Sequence, residues 1–118
     1  MDWIIDYCLQ KKGSALDFPF GPETPVLKVS GKMLAFVFRH GSGHTGVNLK
    51  CDPVIAANLR EQHDCVLPGY HMNKQHWNTV LLDGGLPEED VFAMIDHSYG
   101  QVVNKLPLIQ KQALADRL

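Results

Sequence analysis

The densest group of chemically able side chains is His71, Asn73, Lys74, His76 and Asn78, five residues within eight positions. Either histidine could act as a general base, and Lys74 can hold an anion. His71 and His76 also have acceptable metal-ligand chemistry if Cys51 or Cys65 lies beside them. The spacing matches no zinc signature, so neither a metal nor a cofactor is expected. No nucleophile arrangement accompanies the cluster, and no catalytic residue is assigned. Ser98 lies between apolar positions of a helix, where bonding to nearby backbone is its expected role. Asp96 and His97 are expected at the solvated edge of that helix. A dense polar cluster without a nucleophile suits binding better than catalysis.

The elements that must position this cluster can be read from pattern. Residues 2–12 form a helix, with Asp2 able to cap it and Trp3, Ile4, Tyr7 and Cys8 on one face. Gly13 stops it. Phe18-Pro19-Phe20-Gly21-Pro22 is turn-rich. Strands are expected at 26–29, 32–39 and 47–51, the last two joined by the glycine-rich loop 40–46. Asp52-Pro53 begins a helix that ends near Gln62-His63. A weak strand at 66–72, broken by Pro68-Gly69, leads through the tip 73–76 into a strand at 77–82. That strand places Trp77, Thr79 and Leu81 on one face, and Asn78, Val80 and Leu82 on the other. Pro87 and the acidic run Glu88-Glu89-Asp90 open the last helix. Its apolar stripe runs through Val91, Phe92, Ile95, Tyr99, Val102, Val103 and Leu106, and Pro107 ends it. Residues 107–118 are a tail, read either as a short helix or as disordered. The order α-β-β-β-α-β-β-α with short hairpins predicts a two-layer α+β domain, an antiparallel sheet of about five strands packed with helices.

Composition sets the outer bounds. The chain has 118 residues, 45% hydrophobic and 20% charged, which suits a single globular domain and excludes disorder as the default. Such a chain buries about two-thirds of its unfolded surface. No segment is long and apolar enough to span a bilayer, and the N-terminus lacks the basic run of a secretory signal. Three cysteines without a CxxC spacing read as reduced thiols in a cytoplasmic protein.

The formal net charge of −2 argues against a simple polycation, but the charge is unevenly placed. Residues 24–51 carry Lys28, Lys32, Arg39 and Lys50 and no acid. Residues 65–82 carry Lys74 and no acid. The remaining residues hold six basic and all thirteen acidic groups. If the two acid-free stretches lie side by side, the molecule has a basic side able to steer an anionic partner. Exclusion of carboxylates from buried strands would leave the same pattern.

The run Gly69-Tyr70-His71-Met72-Asn73-Lys74-Gln75-His76-Trp77-Asn78-Thr79-Val80 is more specific than a generic hairpin. So is Val47-Asn48-Leu49-Lys50-Cys51-Asp52-Pro53 ahead of a helix. With Phe18-Pro19-Phe20-Gly21-Pro22 and Asp96-His97-Ser98-Tyr99, in this order, the chain resembles the MmcQ/YjbR family of small bacterial proteins. The resemblance runs from Trp3 to Leu106; the loop 40–46 and the tail fall outside the family pattern. It implies a fold similar to CyaY, the bacterial frataxin relative. The iron binding associated with frataxin is not carried over, because the first helix and adjoining strand offer only Asp2, Asp6 and Asp17. The family is described as DNA-binding through a "double wing" of two hairpins, which here map onto 39–46 and 71–78. On that basis Arg39, Lys50 and Lys74 are expected to contact phosphates. His71, Asn73 and Asn78 would donate to phosphates or base edges, and His76 or Trp77 would stack, although a core position suits Trp77 better. DNA of modest affinity is the expected partner, with a monomer and no membrane association. The alternatives are a small anionic ligand or nucleotide at the His71–Asn78 cluster, and a protein docking on the acidic helices or a sheet edge.

Overall fold

The computed structural model describes residues 2–116. In chain order the elements are α1 (Asp2–Leu9), β1 (Ser14–Asp17), β2 (Val26–Val29), β3 (Lys32–Arg39), β4 (Thr45–Lys50), α2 (Pro53–Gln62), β5 (Val66–Pro68), β6 (Trp77–Leu81), α3 (Glu88–Asn104) and α4 (Leu108–Ala115). The strands form one antiparallel sheet of order β1-β2-β3-β4-β6-β5. The α+β reading therefore holds, with six strands rather than about five.

The additional strand is β1. Three of its four residues are exposed, so it has no apolar alternation to read. Pairing with β2, from Ser14 opposite Val29 to Asp17 opposite Val26, makes it a strand. The first helix stops at Leu9 instead of residue 12, because Gln10 and Lys11 donate to Tyr7 and Cys8 in tight turns and Gly13 takes φ +74°. The cap expected from the Asp2 side chain lies outside the described groups. The strand expected at 66–72 stops at Pro68, and the residues expected as a tail form α4, seated on the core by Leu114.

Helices cover one face of the sheet: α1 packs on β1 and β2, α3 on β2 to β4, and α2 on β5 and β6. The core lies between these layers and includes Ile4, Leu27, Leu34, Val37, Val47, Val80 and Ile95. Asp52 accepts the Val54 and Ile55 amides, and Pro53 needs no donor partner, so α2 starts where its cap residue predicts.

Four consecutive residues fasten α3. Asp96 accepts the Tyr7 hydroxyl at 2.7 Å and pairs with Lys11. His97 Nε2 accepts the Asp52 amide at 3.1 Å. The Tyr99 hydroxyl donates to the Lys12 carbonyl at 2.7 Å. Ser98 reaches the sheet. In the β2–β3 register Leu27 faces Ala35 and Lys28 faces Met33, so Leu34 is bulged out of the pairing. Ser98 donates to the Leu34 carbonyl at 2.6 Å and accepts the Lys50 amide at 2.9 Å. It thus serves distant strands rather than its own helix.

Ser98 is fully buried, so Ser98→Ala leaves a carbonyl and an amide without partners and is expected to cost about 2–4 kcal/mol. Urea unfolding measures it; a loss below about 0.5 kcal/mol would show that Ser98 does not couple α3 to the sheet.

Candidate nucleic-acid interface

The two acid-free stretches supply β2 to β6, so they do lie side by side. The helical layer carries Asp6, Glu61, Glu88, Glu89, Asp90 and Asp96. Among the described residues, the only carboxylate on a strand is that of Asp17 on β1, and Lys28 pairs with it at 2.9 Å. That ammonium holds the Asp17 carboxyl below its ordinary range, aided by the Phe18 amide.

The two expected wings leave opposite ends of the sheet. Gly46, just after the 40–44 turn, faces Leu81 at the end of β6, whereas Lys50 faces Trp77 at its start. Arg39 donates to the Gly43 carbonyl at 3.2 Å, bracing its own turn. The 69–76 loop is largely self-satisfied. Asn73 Oδ1 accepts the Gln75 and His76 amides, and Lys74 Nζ donates to the Gly69 carbonyl at 2.9 Å. Asn78 is buried; it donates to the Ala56 carbonyl and accepts from Arg60 at 2.7 Å. Arg60 also donates to the Lys74 carbonyl. Trp77 is buried. His76 is half-buried, its carbonyl accepts the Cys51 amide, and its Nδ1 has no hydrogen-bond partner among the described residues. His71 is exposed at φ +57°. Lys50 is half-buried at the end of β4, opposite Trp77, and its ammonium is held below the ordinary lysine range first by burial, then by Lys105 and Lys32. The five residues of the polar cluster therefore do not converge on one ligand. No group of three His, Cys, Asp or Glu is gathered for a metal among the described residues.

The loop itself folds back over the sheet face that the helices leave open. Asn48 and Thr79 stand opposite each other on β4 and β6, both buried. Thr79 donates its hydroxyl to Asn48 Oδ1 and accepts the Tyr70 amide at 2.9 Å, while Asn48 Nδ2 donates to the Tyr70 carbonyl at 2.8 Å. Both backbone groups of Tyr70 are thus clipped to the sheet. Its ring stacks on Phe38 at 5.2 Å and 12°. Phe38 faces Gly46, where even a Cβ would come within 3.0 Å of the ring, so glycine lets the ring lie close to the sheet. Phe36 stacks beside Phe38 at 5.4 Å, Phe20 meets Phe36 edge-on at 5.4 Å, and His71 and His40 flank Tyr70. The result is an aromatic row across the open face, with Phe20 66% and Tyr70 46% exposed at either side.

Sequence reasoning missed the roles of Tyr70, Phe20 and Arg60. Tyr70 and Phe20 stand in the quoted motifs, but only the register and the clip show where they go. Nothing local places Arg60 above residue 74. A second feature also escaped it, a cleft of about 430 Å³ between α2 and α3 lined by Leu49, Ile55, Leu59, Met94, His63 and His97. Cys51 lies at this cleft with its thiol pushed up to about 11, chiefly by burial; Cys8, in the core, is pushed up to about 12.

Thr79→Val removes the acceptor of the Tyr70 amide and is expected to cost about 1–3 kcal/mol in urea unfolding, with faster hydrogen exchange at Tyr70. An unchanged exchange rate there would mean that the clip does not hold the loop. The raised thiol pKa values keep Cys8 and Cys51 protonated at pH 8, so both should resist a disulfide reagent until guanidinium unfolds the chain, when all three cysteines react. Rapid native labelling of Cys51 would contradict this.

Comparison with known proteins agrees with the fold. Residues 9–101 match the YjbR family model. Over 111 residues the chain is 36% identical to Uncharacterized protein YjbR of Escherichia coli strain K12, covering 94% of this chain and 93% of that protein. It is 38% identical over 93 residues to Uncharacterized protein YbdF of Escherichia coli O157:H7, covering 77% and 74%. The crystal structure of Deinococcus radiodurans protein DR2400, with a DUF419 family domain, superposes with a TM-score of 0.87 at 33% identity over 97% of this chain and 86% of that one. A crystal structure of a protein from Pseudomonas syringae gives 0.75 at 29% identity over 85% and 96%. With a family match over most of its length and a relative this similar end to end, the chain belongs to the MmcQ/YjbR family.

Proposed function

We propose that this protein binds DNA without catalysing a reaction, and that it takes single strands across the open face of its sheet. The observation that carries the reading is the aromatic row from Phe20 through Phe36 and Phe38 of β3 to Tyr70, beside strands β2 to β6, which contain no carboxylate. Any base can stack on an aromatic ring, at about 1–3 kcal/mol per base, so such a row favours single strands with little sequence preference. Phe38 is the floor of the row, and Phe20 and Tyr70 are its accessible ends. The acidic helices lie on the other face and would turn the open face toward a polyanion.

Phosphates would be met by Arg39 at the end of β3 and by Lys74 in the 69–76 loop. Lys74 spends one of its three N–H donors on Gly69 and keeps two for a ligand. Two or three such contacts give weak, salt-sensitive binding, on the order of micromolar at low salt. The hairpin loops leave opposite ends of the sheet, and what they share is the open face, which supports a strand laid across it over two wings set side by side in a duplex. Buried, unpaired thiols fit a reducing compartment, and we place the protein in the cytoplasm. No helix among the described residues is long and apolar enough to cross a membrane.

Fluorescence anisotropy with labelled single-stranded and duplex DNA across a salt series tests the reading. Single strands should bind more tightly. Tyr70→Ala should weaken them about 10-fold, within the stacking range, since the clip holds only the backbone of that residue. Lys74→Ala should make the salt slope shallower by about 0.7. No binding at low salt sinks the proposal. Tighter duplex binding that ignores Tyr70 would move the interface to the hairpin loops.

A further inference from the structure

Three lysines from distant parts of the chain meet at the end of the sheet where Lys50 faces Trp77. Lys32 begins β3, Lys50 ends β4, and Lys105 follows α3. Together they line a pocket of about 340 Å³ whose other walls are Met33, Trp77, Val102 and Leu106. No carboxylate among the described residues lines it. Among the described residues, none of the three ammonium groups has an ion pair or hydrogen bond, whereas Lys11 and Lys28 each have an aspartate.

Like charges gathered without a counter-charge oppose folding, and the repulsion reaches Lys50, whose ammonium both neighbours disfavour. The C-terminal pole of α3 supplies about half a negative charge, which offsets part of one cation and not three. Lys50 is half-buried, so an ionic contact made at its ammonium is screened less than one at the exposed Lys32 and Lys105. A compact anion with two or more charges and several acceptor oxygens answers all of these features. Ammonium groups bind phosphate as point charges, so three of them around a small pocket need no planar partner.

We infer that Lys32, Lys50 and Lys105 form a binding site for a phosphate group carrying at least two negative charges. It does not rest on the aromatic row, which lies elsewhere on the sheet. The phosphate has two possible sources: a free small molecule, or the terminal phosphate of a nucleic-acid strand.

Isothermal titration calorimetry of the full chain with sodium pyrophosphate, at ionic strength fixed with sodium chloride, reads the site directly. One saturable event per chain is expected, at least 10-fold weaker in Lys50→Gln and absent when all three lysines are changed to glutamine. Lys105→Gln alone, exposed and outside the sheet, guards against a folding defect and should weaken binding severalfold. Absence of saturable binding, or equal binding by the triple variant, overturns the inference. A second arm compares single strands bearing a 5′-phosphate with 5′-hydroxyl strands. A gain from the phosphate that needs the three lysines assigns the site to strand ends; pyrophosphate binding without such a gain assigns it to free phosphates. Tyr70→Ala should leave pyrophosphate binding intact, so failure of the stacking face and failure of this site give different results.

Discussion

The pairing of β4 with β6 is the constraint on which both faces of this molecule depend. These strands are not neighbours in sequence; α2 and β5 intervene. Their register sets two polar pairs in the middle of the sheet. On the open face Asn48 meets Thr79 and holds the backbone of Tyr70. On the helical face Leu49 meets Asn78, which ties α2 through the Ala56 carbonyl and Arg60. A slip of one residue would exchange these faces and bury each polar group without its partner, at about 1–3 kcal/mol apiece. The register is therefore specified by hydrogen bonding as well as by apolar pattern.

Much of the architecture was legible because its causes are local. Asp52-Pro53 announces α2, the acidic run and apolar stripe announce α3, and β2 and β3 have the expected bounds. β1 was not legible, because its causes are not local: an exposed four-residue strand exists only through its neighbour. The 69–76 loop shows the same division. Its turn formers were readable, and Asn73 and Lys74 behave as such. Its return across the sheet depends on Asn48, twenty-two positions before Tyr70, and no spacing within the loop announces that. The candidate contacts suffer from this most, since several donors read as free for a ligand are already engaged within the fold.

The run Asp96-His97-Ser98-Tyr99 makes a related point. An acid, a histidine and a serine in sequence suggest catalysis. On a helix, successive side chains point about 100° apart, so four in a row sweep the whole circumference. Here they reach α1, the start of α2, two strands and the segment after α1. Polar residues that look like a catalytic string are the fittings by which one helix joins the rest of the domain.

The brevity of the outer strands has its own consequence. β5 has three residues and ends in a proline, and β1 has four, with a charged aspartate at its end. Long flat edges invite another chain to add a strand, and such growth underlies aggregation. Here either edge offers too few free backbone groups for a stable addition, and Pro68 lacks one of the donors. The molecule can thus leave a broad aromatic surface open to solvent while its sheet resists polymerising through its margins.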